Sequence, residues 1–451
     1  AGFNWSVDDS RTVQVRGGIG RFLGRAPWVF FSNSFSNPGV GRFGITQTGT
    51  NPPSLVSYIN TQFDPASPIG VAATDGAPNA RRTINLLQDK IHLPAVWRGN
   101  LAVDWKASFL GGNITTEFVY TKQDNALFSD NLNIKPLVVG ASTGPAIGLD
   151  GRQRFNGGSN GTGAFNTAFN EVIRVRNVSV GESSYITLMW DRPMKNHWAA
   201  NLAFTKGRST EAQSTGQTVA VDGWTRNAVF NQNAVEVSTS DFEVKDRLQL
   251  TLTREWEFAK NWKTYGSLYY EGRTGNPYSF TYSNDVNTDG VSGNDLVYVP
   301  TGLSDAKMDF SGLTAAQAAA YVAYFSNSEL GQFAGGYAPR NKFNLPWQNR
   351  LDIRLSQKIP LYKPADLEIF ADFINFGYWL SRDFFGYVEE LGNNNGVYAR
   401  RIAGSAAYNS TGQLRPTGIT LDSAGNYSPA DATVNPLASR WRIQIGARLR
   451  F

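Results

Sequence analysis

The sequence predicts an all-β fold: a transmembrane antiparallel β-barrel of about 12–14 strands, with short turns at one end and long loops at the other. Three observations lead there. Apolar and polar residues alternate with a period of two in segment after segment, which gives a strand one oily and one wet face. The links between these segments alternate between short and long. Finally, the chain is polar on average, with a mean hydropathy of −0.32, yet 13% of its 451 residues are aromatic. A membrane barrel produces that combination, because lumen and lipid positions alternate and aromatics collect at both interfaces. No run of about twenty apolar residues exists that could span a bilayer as a helix.

The last strand is the clearest. Trp441, Ile443, Ile445, Ala447, Leu449 and Phe451 fall on one face, and Arg440, Arg442, Gln444, Gly446, Arg448 and Arg450 on the other. It is long enough to cross a bilayer when tilted, and it ends on an aromatic. Val13 and Val15 alternate with Gln14 and Arg16, and Leu101, Val103 and Trp105 with Asn100, Asp104 and Lys106. Ile114, Thr116, Phe118 and Tyr120 follow a Gly111-Gly112-Asn113 turn. Ile186, Leu188 and Trp190 precede a turn at Pro193–Asn196, after which Trp198, Ala200, Leu202 and Phe204 resume the pattern. Leu248, Leu250 and Leu252 oppose Arg247, Gln249 and Thr251; Leu351, Ile353 and Leu355 oppose Arg350, Asp352 and Arg354. Leu367, Ile369 and Phe373 oppose Glu368 and Asp372.

Short links at 109–113, 193–197, 257–261 and 359–365 alternate with long ones at 24–95, 140–170, 208–243, 276–346 and 409–438. Loops of that size argue against a compact soluble domain. Trp97, Trp190, Trp198, Trp256, Trp262 and Trp441 sit near strand ends, where an interfacial girdle places them. One helix is expected over Leu313–Phe325, opened by Thr314 and Gln317 as a capping box, within a loop outside the membrane.

Composition excludes several functions. The chain has no Cys, so thiol catalysis, disulfides and zinc–thiolate sites are absent. A net charge of +5 from 42 basic and 37 acidic residues, without any Lys/Arg run, does not fit nucleic-acid binding. No signal peptide is present, and Ala1 already opens a strand-like phrase, so a mature or truncated piece is expected.

Three phrases carry a family resemblance. The first is Gly275-Asn276-Pro277-Tyr278-Ser279-Phe280, followed by Asn284–Gly290 and Ser292-Gly293-Asn294-Asp295. The second is Ala338-Pro339-Arg340-Asn341 with Pro346–Asp352; the third is Leu367–Phe376, followed by the terminal strand. Phe3-Asn4-Trp5, with Val15–Gly18 and Phe22, adds to them. In this order they resemble the C-terminal barrel part of Oar-like TonB-dependent receptors of the Gram-negative outer membrane. The resemblance implies a 22-strand barrel, a plug in its lumen, and coupling to the inner-membrane protein TonB through that plug. Residues 1–451 would then be the C-terminal part of such a barrel. Plug and N-terminal strands would be absent from this chain and supplied elsewhere, as another segment or another chain. Lipid of the outer membrane is the remaining partner, and the terminal strand, through Trp441, Ile443, Ile445, Leu449 and Phe451, would close the barrel and carry its assembly signal.

Site candidates are few. Asp285-x-Asn287-x-Asp289-Gly290 has oxygen donors at alternate positions and Gly at the sixth, as an EF-hand-like calcium loop begins. Its twelfth position is Leu296, so Asp295 is the expected substitute ligand; the competing reading is an Asx-rich turn. Calcium in this extracellular loop is the one metal expected, and no cofactor is required. Arg247, Arg350, Asp352, Arg354, Glu368, Asp372, Arg442 and Arg448 are expected to face the lumen, for plug docking or solute guidance, or as plain ion pairs. Arg81-Arg82 and Arg400-Arg401 read as surface charge, and the Gly-rich stretch 157–163 as a flexible loop. His92 and His197 have no ligand spacing, no Ser sits in a nucleophile elbow, and nothing around Glu389-Glu390 would shift a pKa, so no enzyme is expected. The expected function is energised uptake of an unidentified solute. The alternatives are a structural or adhesive barrel, a passive porin and, remotely, a soluble lectin-like sandwich.

Overall fold

A computed structural model describes residues 1–36, 82–139, 144–157, 163–214, 216, 219–362, 365–385, 388–391, 399–428 and 432–451. One antiparallel sheet of 12 strands dominates it. In chain order its main strands are β1 (Gly2–Ser6), β2 (Val13–Leu23), β3 (Ala95–Ala107), β4 (Gly112–Gln123), β5 (Glu182–Lys195) and β6 (Trp198–Glu211). They continue with β7 (Asp246–Ala259), β8 (Trp262–Arg273), β9 (Gln348–Tyr362), β10 (Ala365–Ile374) and β11 (Arg442–Arg450). Each pairs with the next in sequence, and the two-residue strand Ser238–Thr239 adds to β6. The result is an up-and-down meander, the simplest un-knotted way to lay out antiparallel strands. Among the described residues the outer edges of β1 and β11 pair with no further strand, so the sheet is an open wall.

Register explains its two faces. Leu250 pairs with Tyr270 and Leu202, Leu252 with Leu268 and Ala200, and Ile353 with Leu268 and Phe373. Every apolar row therefore lands on one side. Among the described residues that side has no partner layer: Leu101, Phe118, Ile186, Leu188, Leu355, Ile369, Ile443, Ile445 and Leu449 are all exposed. Trp5, Trp105, Trp256 and Trp262 ring its short-turn end, with Phe258 and Phe451, while Trp97 and Trp441 mark the other. An exposed apolar band between two aromatic rims is a lipid-facing surface.

The short turns follow local chemistry. Asn196 (φ 54°) and His197 (φ 64°) both take left-handed backbone, as a two-residue hairpin between right-twisted strands requires. The expected turn at Pro193–Asn196 thus moves toward the C-terminus. Pro193 and Met194 stay within β5, at an irregularity in register between Arg192 and Lys195, where a missing N–H is tolerated. Gly111 (φ 67°) closes the β3–β4 link.

The long loops are not structureless. They fold over one end of the wall into a cap, which holds the largest buried apolar cluster among the described residues: Tyr278, Phe280, Tyr282, Val297, Tyr298, Val299, Tyr321, Phe325, Leu330 and Leu414 belong to it. Residues from loops distant in sequence meet there. Pro277–Tyr282 pairs in parallel with Ala399–Ile402 and antiparallel with Phe343–Asn344. The expected helix spans Ala315–Asn327, with the Thr314/Gln317 capping box formed and Tyr321 and Phe325 buried. Thr314→Ala is expected to destabilise the cap by about 1 kcal/mol, read as an earlier thermal transition of the full chain. Arg400 and Arg401, expected as surface charge, instead lie half-buried in the cap strand, with Arg400 5.2 Å from the Tyr278 ring centroid. Arg81, residues 158–162 of the Gly-rich stretch and 37–81 of the first long loop lie outside the described residues.

Candidate functional site

The second face of the wall is mainly polar, with Phe370 stacked under Arg354 at 4.2 Å. Its chemistry is densest where the last five strands run side by side. Arg354 on β9 donates to Asp372 at 3.2 Å and approaches Glu368 at 3.5 Å, both on β10. Glu368 also receives Arg450 at 2.9 Å and Arg448 at 3.5 Å from β11. Lys358 pairs with Asp366 at 2.8 Å. Facing residues in an antiparallel register share one side, so cationic and anionic rows interlock in a single network. Across the sheet, Arg16 on β2 joins Asp104 at 2.8 Å and Glu117 at 3.5 Å.

At the cap end of this face the balance tips to positive. A cavity of about 380 Å³ is lined by Arg247, Arg273, Arg350, Arg440 and Arg442, against a single acid, Glu271. Glu271 accepts from Arg247 at 2.6 Å. Arg350 is held bidentate by Asp352, at 3.0 and 2.6 Å, and Asp352 in turn accepts the Asn375 N–H at 2.7 Å. Asn375 donates to the Ser439 carbonyl at 3.0 Å, which ties the start of β11 to the end of β10. Arg273 leans on Gln348 at 3.1 Å. Among the described residues Arg273, Arg440 and Arg442 form no salt bridge. Three guanidinium groups without a countercharge around one cavity present fork-shaped donors suited to a carboxylate or phosphate.

The third group is the acidic loop, in the cap. Asp285 accepts the N–H of Asp289 at 3.1 Å and of Gly290 at 2.8 Å; Asn287 accepts from Asp289 at 3.1 Å, and Asp289 from Val291 at 2.8 Å. Asn287, Asp289, Asn294 and Asp295 have no exposed surface. Asp295 does not stand free for an ion. Its Oδ1 receives Arg152 at 2.6 Å and its Oδ2 the Val286 N–H at 2.8 Å. Burial, then the neighbouring Asp295 charge, pushes the Asp285 carboxyl up to about 6 and holds Asp289 well above the usual carboxylate range. Among the described residues no three His, Asp or Glu side chains group as a metal site.

Comparison with known proteins places this architecture. The sequence matches a family described as "Outer membrane beta barrel domain" over residues 1–377. The chain belongs to that outer membrane β-barrel family. Among solved structures it is similar to the outer membrane transporter YddB from Escherichia coli, with 11% identity, TM-score 0.42, and 82% of this chain and 36% of that one covered. It is also similar to the closed form of the ferric-catecholate import receptor Fiu from E. coli K12, with 10% identity, TM-score 0.26, and 99% and 44% covered. The chain therefore spans less than half the length of either structure. No curated protein matches. Family membership puts the protein in the Gram-negative outer membrane.

In this outer membrane β-barrel domain the eight charged residues expected to face the lumen share the polar face by register, and they divide into two groups. Arg354, Glu368, Asp372 and Arg448 form the mid-wall network; Arg247, Arg350, Asp352 and Arg442 gather at or beside the cavity. Reading the sequence placed Arg440 on the polar face but missed Arg273, Glu271 and Arg152. The first two lie one strand over from Arg247 and were legible from alternation in β8. Arg152, from a loop without periodic pattern, had no such signal. His197 lies at a turn, 3.3 Å from Glu255.

Proposed function

We propose that this domain is the C-terminal part of the barrel of a TonB-dependent receptor that takes up a solute by energised transport, and that the arginine cavity receives an anionic group of that solute. The observation that carries the reading is the cavity: uncompensated guanidinium groups on the polar face, at the cap end where a solute from outside arrives. The polar face is read as the lumen wall. Unpaired strand edges are untenable in lipid, since each unsatisfied backbone group costs several kcal/mol. The edges of β1 and β11 are therefore read as joining further strands of a larger barrel around a plug.

The purified C-terminal domain of TonB is expected to bind the full-length receptor in detergent. A titration without association would leave the second reading, which the packed cap favours: a barrel whose outer surface binds envelope or extracellular partners without import. The cavity is checked separately, with inorganic phosphate as probe. Arg273→Ala combined with Arg442→Ala is expected to weaken phosphate binding at least about tenfold, since each charge-assisted hydrogen bond contributes about 1.5–3 kcal/mol. Unchanged affinity would remove the anion site.

A further inference from the structure

We propose that the 285–295 loop of the cap binds one calcium ion through Asp285, Asn287 and Asp289, and that this ion fastens three cap loops together. The sequence pattern alone is compatible with a solvated turn. The structure adds something a solvated turn lacks. Asp289 is fully buried, and its Oδ2 has no hydrogen-bond partner; the Oδ1 of the equally buried Asn294 has none either. An orphaned carboxylate oxygen in a closed interior is a group built for a ligand.

Charge accounting points the same way. The cluster contains Asp285, Asp289 and Asp295; among the described residues Arg152 is the cation that pairs with it, while the Arg401 guanidinium lies against Gly293. Arg152 is spent on Asp295 and on the Leu296 carbonyl. Among the described residues Asp285 and Asp289 have no cationic partner. In their charged form these two would cost several kcal/mol each without a countercharge, and a divalent cation would supply it. Calcium fits the donor set: it takes six to eight oxygens in flexible geometry, including carboxylates, Asn carbonyls, backbone carbonyls and water, so two carboxylates suffice. The Val291 carbonyl occupies the seventh position of the pattern, where such loops supply a backbone ligand. Zinc is a poor match, because the loop offers neither His nor Cys.

The loop is also a junction. Asn287 accepts the Phe155 N–H at 2.8 Å, Thr288 donates to the Phe155 carbonyl at 2.6 Å, and Val229 is bridged to Asp295. An ion here would hold the segments around 155, 229 and 290 in one arrangement.

The test is isothermal titration of calcium chloride into full-length protein in detergent, stripped with EDTA, alongside thermal melts with and without calcium. One site with sub-millimolar affinity is expected, with a melting temperature that rises on saturation. Asp289→Asn, close in shape, is expected to lose at least about tenfold in affinity, and Asp422→Asn, in a separate exposed turn of the cap, to lose none. Absence of binding at millimolar calcium, or Asp289→Asn and Asp285→Asn titrating like the parent, would overturn the site. Should these variants fail to fold, the parent's melt decides: no shift between EDTA and calcium overturns it equally.

Discussion

Replacing Arg152 with Met is expected to destabilise the cap by about 3–5 kcal/mol while leaving the wall in place. Arg152 has no exposed surface; it donates to Asp295 at 2.6 Å, and its Nε lies 3.8 Å from Asp150. The guanidinium is enclosed by rings, with centroids at 5.2 Å for Phe230, 5.5 Å for Tyr337 and 6.0 Å for Tyr282. A neutral side chain would leave those faces packed, so the lost aromatic contact is the smaller effect. The larger one is electrostatic: Asp295 and Asp150 would remain inside without their cation. The same reasoning gives a second arm. Combining Arg152→Met with Asp295→Asn should recover part of the loss, because the uncompensated charge goes with it. Hydrogen exchange of the 278–282 and 297–299 amides is the measurement. Native protection of those amides in Arg152→Met would show that the ion pair does not hold the cap.

The second large effect separates the two faces of the wall through adjacent residues. Leu252 sits near the middle of β7 on the apolar face, paired with Leu268 and Ala200, and is 41% exposed. Arg at the lipid midplane destabilises a barrel by about 2–4 kcal/mol, so Leu252→Arg is expected to cost that much. Thr251, its neighbour, pairs with Tyr269 and Asn201 on the polar face. Thr251→Arg should change stability by no more than about 0.5 kcal/mol. Urea unfolding of the full-length protein in lipid vesicles reads both. A reversed order would mean that the assignment of faces is inverted.

Much of the wall was legible in the sequence because its information is local. Alternation in Leu248–Leu252 or Leu351–Leu355 decides strand, face and neighbour together, and a one-residue slip would turn every side chain over. The capping box at Thr314 is equally local. The Pro193 turn misled, because Pro and Met read as a break while Asn196 and His197 supply the left-handed residues the hairpin needs. The cap was the hard part. Its core joins residues such as Tyr278, Tyr321 and Leu414 from connections with no period, so nothing marked them as partners. The charges of the polar face could be named singly, but the cavity depends on which strands stand side by side. Arg152, the cation that answers Asp295 across 143 positions, carries no sequence mark.

That dispersal has a consequence for how the molecule assembles. The cap's parallel pairing joins 279–282 to 399–402, and Met308 bridges to Leu414. None of these contacts is local, and each demands a long loop closure before it returns any stabilisation. Only a wall already in register brings the five loops within reach of one another. The buried cluster over the end of the wall therefore depends on register: it closes over strands that have paired correctly, and a wall laid down one residue out is expected to leave its cap unmade.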